Sequence, residues 1–91
     1  MRLDQFLVAG RIIKRRSLAQ EFCEKGRVYV NRAVAKSSKE IKPEDEIEIK
    51  RDTENVTIRV LKLPATKQVS KTDAGTLFET VHVEKVEELA S

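Results

Sequence analysis

At Gly26 the hydrophobic period of this chain changes, and that change constrains the fold more than any other feature. Before Gly26 the apolar residues recur at helical spacing, as Leu3, Phe6 and Leu7 and then as Leu18, Ala19, Phe22 and Cys23. After it they alternate, in Arg27-Val28-Tyr29-Val30, Ala33-Val34-Ala35, Glu46-Ile47-Glu48-Ile49-Lys50 and Val56-Thr57-Ile58-Arg59-Val60. Two short helices followed by half-buried strands on short turns make an α+β protein. The expected architecture is two N-terminal helices packed on a small, mostly antiparallel, twisted sheet. In 91 residues there is room for one modest core and little room for an enzyme cleft.

Local signals place the boundaries. The first helix ends near Gly10, and Ile12 and Ile13 tuck under as the chain turns. Asp4 either complements the start of that helix or orients a neighbouring arginine through an ion pair, and the ion pair is the preferred reading. Ser17 and Gln20 have capping-box spacing for the second helix, and Gly26 suits its left-handed C′ position. Asn31-Arg32 is a turn; arginine resists positive φ, so a turn looser than a two-residue hairpin is predicted. Pro43-Glu44-Asp45 and Asp52–Asn55 are further turns. Residues 64–76 read as a linker with a turn of helix around 71–74. Residues 77–89 mix helical and strand spacing, with 79–85 suited to a final strand. The domain division expected is therefore 1–62, with 63–91 as an extension made of a linker and a short helix or strand.

Charge is segregated along the chain. Residues 1–42 hold eleven Lys/Arg against four Asp/Glu, a net of +7, while residues 43–91 hold seven against eleven, a net of −4. One basic face steering toward nucleic acid is the simplest physical reading. Its densest part is Arg11, Lys14, Arg15 and Arg16, just before the second helix, whose N-terminal N–H groups favour an anion such as phosphate. Arg2 projects toward this cluster from the first helix. Ser17 lies at the helix start, and Lys25, Arg27 and Lys36 extend the patch over the adjoining strand and loop. Taken alone, four cations beside a helix are equally a solvated surface, and the loop 36–39 is as readily a solvated loop as a second phosphate contact.

Other chemistry finds little support. Cys23 is single and on an apolar face, so it reads as a core residue. His82 has no second ligand at metal spacing, and no Gly-rich phosphate loop, paired-Cys motif or nucleophile–base signature is present. No enzyme activity, cofactor or metal is expected. Charged residues make up 36% of the chain, and no apolar run is long enough to span a bilayer or serve as a secretory signal. A cytoplasmic protein with no membrane partner is expected.

Four ordered stretches, Arg2-Leu3-Asp4-Gln5-Phe6-Leu7, Lys14-Arg15-Arg16-Ser17-Leu18-Ala19, Lys25-Gly26-Arg27-Val28-Tyr29-Val30-Asn31 and Ile41-Lys42-Pro43-Glu44-Asp45-Glu46-Ile47, resemble the RNA-binding domain named after small-subunit ribosomal protein S4. The likeness covers roughly residues 1–50. It departs from the family pattern at Arg32 and Glu44, where glycine is usual. The length, the start and the run from Gly10 to Ala19 are similar to small stand-alone bacterial members that act in ribosome-associated quality control. That resemblance implies binding to ribosomal RNA and peptidyl-tRNA on free large ribosomal subunits. It also implies a partnership with an NEMF-family tailing factor, RqcH, which adds C-terminal alanine to stalled chains. A monomer is expected. Two other readings stay open: a generic module for structured RNA in ribosome assembly, and a protein–protein adaptor using the acidic half. The basic half has three aromatics, and with Phe6 and Phe22 on the apolar helix faces only Tyr29 is left to stack, so shape and phosphate readout suits RNA recognition better than base stacking.

Overall fold

The period change at Gly26 is realised as two helices followed by a sheet in the computed structural model, which describes residues 1–65 and 69–86. Helices α1 (Leu3–Ala9) and α2 (Arg16–Glu24) precede strands β1 (Val28–Val30), β2 (Ala33–Val34), β3 (Glu46–Lys50) and β4 (Glu54–Val60). A one-turn helix α3 (Lys71–Ala74) and strand β5 (Phe78–Lys85) complete the described chain. The strands form one sheet in the order β2-β1-β3-β4-β5, with every neighbouring pair antiparallel. The α+β class expected from the pattern is the class observed.

Alternation decides which face is covered. Val28 and Val30, Ile47 and Ile49, and Ile58 and Val60 point to one side and are buried. On that side α1 contributes Leu3, Phe6 and Leu7, all fully buried, and α2 contributes Ala19 and Cys23. Ile13, Ile41 and Leu77 close the core. Burial pushes the Cys23 thiol up to about 11, with the nearby Asp4 charge as a lesser cause, so it stays protonated and unreactive at neutral pH.

Leu18 departs from the sequence reading. It is 40% exposed, because the buried stripe of α2 is Ala19 and Cys23, one turn apart, and Leu18 falls beside that stripe. The predicted capping box is also overturned. Helix α2 begins two residues earlier, at Arg16, with Arg15 in place of Ser17 as N-cap and no side-chain cap. Ser17 is thus the second residue inside the helix, and the Gln20 amide points to Asp4 instead of back to the cap. At the other end the expectation holds. Gly26 has φ 70°, its N–H donates to Cys23 O at 3.0 Å, and Arg27 N–H donates to Phe22 O at 2.9 Å, a Schellman closure.

The β1–β2 turn is tighter than predicted. Tyr29 pairs with Val34 and Val30 with Ala33, and both Asn31 (φ 51°) and Arg32 (φ 72°) are left-handed. The Asn31 side chain compensates: its Oδ1 accepts the Glu46 N–H at 3.0 Å and its Nδ2 donates to Asp45 Oδ1 at 3.2 Å. Glu44 also keeps the left-handed backbone that glycine would adopt, at φ 78°, with its N–H donated to Val60 O.

In the C-terminal region α3 is capped by the Ser70 hydroxyl, which accepts the Asp73 N–H at 3.1 Å. Strand β5 runs along β4 from Val60↔Phe78 to Glu54↔Lys85, with an irregularity between Thr57 and Ile58. Residues 66–68 of the predicted linker and 87–89 of the predicted tail lie outside the described residues.

Candidate nucleic-acid interface

The geometry of the basic face starts from an acid. Asp4, in the first turn of α1, is fully buried, and a buried carboxylate requires donors. Its Oδ1 accepts the Gln5 N–H at 2.8 Å. Its Oδ2 accepts Arg16 Nε at 3.1 Å and Gln20 Nε2 at 3.0 Å. Arg2 Nη2 reaches the same oxygen at 3.4 Å, while Arg2 Nε stands 3.3 Å from Oδ1 without hydrogen-bond alignment. Burial acts to raise the Asp4 carboxyl, but the hydrogen bonds from Gln20 and Arg16, the Arg16 charge and the Gln5 N–H outweigh it and hold the group below its usual range. The ion pair read from the sequence is therefore present, and it joins Asp4 to Arg2 and Arg16 together. One carboxylate against two guanidiniums leaves a net positive corner, with the Arg2 and Arg16 side chains 39% and 47% exposed.

Helix α2 starts at this corner. Lys14, Arg15 and Ser17 are exposed and line one shallow groove with Leu18 and Glu21. Among the described residues nothing accepts the backbone N–H groups of Arg16, Ser17 and Leu18, so they add a partial positive charge there. The start of α1 is occupied in another way. Leu3 N–H donates to Lys39 O at 2.7 Å and Asp4 N–H to Ser37 O at 3.1 Å, so the loop 36–39 caps the helix. This brings the exposed Lys36 and Lys39 to the same end of α1 as Arg2.

The remaining predicted cations differ in their surroundings. Arg11 is exposed at φ 57° and donates through Nη2 to Val69 O at 3.3 Å, with no carboxylate partner among the described residues. Lys25 pairs with Glu21 at 3.0 Å. Arg27 pairs with Asp52 at 2.9 Å and lies over the Phe22 ring at 5.6 Å, which ties it to the β3–β4 turn. Sequence reasoning assigned Gln20 to a helix cap and so missed its bond to Asp4; its place one turn after Arg16 was the available signal. The loop carbonyls that cap α1 had no sequence signal at all.

Such a surface can hold oxyanions through guanidinium, ammonium and backbone N–H donors. Among the described residues no group of three His, Cys, Asp or Glu side chains could hold a metal ion, and no helix is long and apolar enough to cross a membrane.

Residues 1–47 match the family model of the S4 domain. A relative from Streptococcus pneumoniae, an RQC P-site tRNA stabilizing factor, is 40% identical over 88 residues, which covers 97% of this chain and 98% of that protein. Relatives of the same name from Halalkalibacterium halodurans (43% over 86 residues; 94% of this chain, 96% of that one) and Bacillus subtilis (39% over 88 residues; 97% and 100%) are similar. Among solved structures, the trimeric heat shock protein 15 of Vibrio cholerae superposes with a TM-score of 0.81 at 31% identity, covering 89% of this chain and 81% of that one. The solution structure of the hypothetical protein HP1423 gives 0.79 at 34% identity, covering 90% and 98%.

Proposed function

The chain belongs to the S4 domain family, in the group of the RQC P-site tRNA stabilizing factors, and from that premise we propose that it binds ribosomal RNA and peptidyl-tRNA on free large ribosomal subunits. There it steadies the P-site tRNA while an NEMF-family factor, RqcH, adds C-terminal alanine to the stalled chain. It acts by binding alone, as a monomer in the cytoplasm. The contact surface is Arg2, Arg11, Lys14, Arg15, Arg16 and Ser17, with Lys25, Arg27 and Lys36 at its margin. Residues 1–62 form the RNA-binding domain and residues 63–91 its extension.

One observation carries this reading: two half-exposed arginines, Arg2 and Arg16, converge on the buried Asp4 beside the open start of α2. Gathered on one carboxylate, the two guanidiniums bring a net positive charge to the open start of α2. The relatives' name favours RNA as the partner, and a net positive corner beside free helix N–H groups suits phosphate contacts.

The test is co-sedimentation of tagged protein with ribosomal particles, wild type against Arg16→Ala. Wild type travelling with free large subunits that carry peptidyl-tRNA, and Arg16→Ala left near the top of the gradient, is the expected result. Wild type following assembly intermediates would transfer the function to ribosome assembly. Absence of wild type from every particle would remove the ribosomal reading.

A further inference from the structure

We propose that Asp4 and Gln20 are positioning residues for RNA: they grip Arg16 by its Nε edge, so that both Nη groups of its guanidinium remain turned outward to clasp one phosphate. The inference rests on the RNA-binding reading above and deepens it.

A guanidinium offers two flat edges to an anion. One is the pair Nη1 and Nη2; the other includes Nε. A carboxylate that took the Nη pair would consume the fork on which bidentate phosphate recognition depends. Here Asp4 Oδ2 takes Nε, at 3.1 Å. Among the described residues no acceptor meets either Nη of Arg16, and the side chain is 47% exposed. The arginine is thus held at its base and open at its tip.

Gln20 makes the grip selective. It lies one turn beyond Arg16 on α2, on the same face, and its Nε2 donates to the same Oδ2 at 3.0 Å. Asp4 is fixed in turn by the Gln5 N–H on Oδ1 and by complete burial. With Oδ1 held by the backbone and Oδ2 shared among Gln20, Arg16 and, at 3.4 Å, Arg2 Nη2, the carboxylate is held from rotating to offer both oxygens to the Arg16 fork. Because Asp4 belongs to α1 and Arg16 to α2, the same contact also sets how the two helices present their cations to one phosphate run. Ordering the arginine before binding lowers the entropy lost when RNA arrives.

The experiment measures affinity for a fluorescein-labelled hairpin RNA by anisotropy, for wild type, Gln20→Met, Arg16→Ala, Arg16→Lys and the double variant Gln20→Met with Arg16→Ala. Gln20→Met keeps the bulk and the helix while removing the donor. It is expected to weaken binding about tenfold, the scale of one charge-assisted hydrogen bond, with the salt slope unchanged because no cation has been removed. Arg16→Lys is expected to bind nearly as weakly as Arg16→Ala, although it keeps the charge, since an ammonium has no fork. In the Arg16→Ala background Gln20→Met should cause no further loss, which a general structural role would not produce. Wild-type affinity in Gln20→Met, or a loss that adds in full to that of Arg16→Ala, overturns the proposal and leaves RNA binding standing. No binding by the wild type defeats the RNA reading and this proposal together. A measurement on the wild type alone covers the case in which a variant does not fold. The Arg16 Nε–Hε resonance should be resolved and slow to exchange, and a fast-exchanging signal averaged with the other arginines refutes the grip.

Discussion

The salt dependence of RNA binding can be worked out residue by residue, because the structure separates cations that are already neutralised from those that are not. Lys25 is 3.0 Å from Glu21 and Arg27 is 2.9 Å from Asp52, so neither brings an uncompensated charge to a phosphate. Arg2 and Arg16 share the single negative charge of Asp4 and together contribute about one. Arg11, Lys14, Arg15 and Lys36 have no carboxylate partner among the described residues and contribute one each. About five phosphates are then neutralised, and log affinity should fall against log salt with a slope of about −4.5 on duplex RNA and about −3.5 on a single strand. At a slope near −4, affinity drops roughly 250-fold between about 50 and about 200 mM salt. The assay is anisotropy of a labelled hairpin RNA titrated at several salt concentrations. Arg15→Ala should make the slope shallower by about 0.9, whereas Lys25→Ala should leave it nearly unchanged. If Lys25→Ala flattens the slope as much as Arg15→Ala, the sorting of cations by their partners is wrong. A wild-type slope near zero would mean that phosphates are not what this face binds.

Other perturbations test the fold. Ser17→Ala should change stability by less than about 0.5 kcal/mol in urea melts, since Ser17 sits inside α2 and caps nothing; a loss near 1 kcal/mol would restore the capping box. Gly26→Ala should cost about 1 kcal/mol by the same assay, from forcing an L residue into φ 70°, because no atom lies within 4 Å of the added Cβ. Acid should weaken the protein through Asp4: its carboxyl is depressed in the folded state, so this stabilisation is complete above the unfolded value near 3.8 and is lost as pH falls through the lower folded value. In Asp4→Asn that component of the acid transition should be missing from melts taken between about pH 5 and about pH 2. Cys23 should resist iodoacetamide at pH near 8 in the native protein and react once denatured, because burial holds the thiol at about 11; rapid native labelling would contradict its packing.

Much of this fold was legible in the sequence because its signals are local. The period change at Gly26 separates helices from strands, and the alternation in Glu46–Lys50 names the buried Ile47 and Ile49 without reference to anything distant. Gly26 as the helix stop needs only the sterics of one residue. The clustering of cations in residues 1–42 is likewise a property of the chain as written. The tail was ambiguous for the complementary reason. Phe78, Val81 and Val83 carry mixed spacing, and the strand is specified by its partner β4, which lies some twenty residues earlier.

The tertiary structure alone decided which donor meets which acceptor. Ser17 and Gln20 had the spacing of a capping box, yet a buried carboxylate outbids a solvent-exposed cap: leaving Asp4 without donors in the interior would be far more costly than leaving a helix N–H in water. The start of α2 moves to Arg16 accordingly. Arg32 and Glu44 hold left-handed backbone that their own sterics oppose, at Arg32 because Asn31 is locked to Asp45 and Glu46, residues fourteen and fifteen positions away. Spacing along a chain reports faces and periods. It does not rank competing partners, because that ranking depends on burial, and burial exists only once the helices have docked on the sheet.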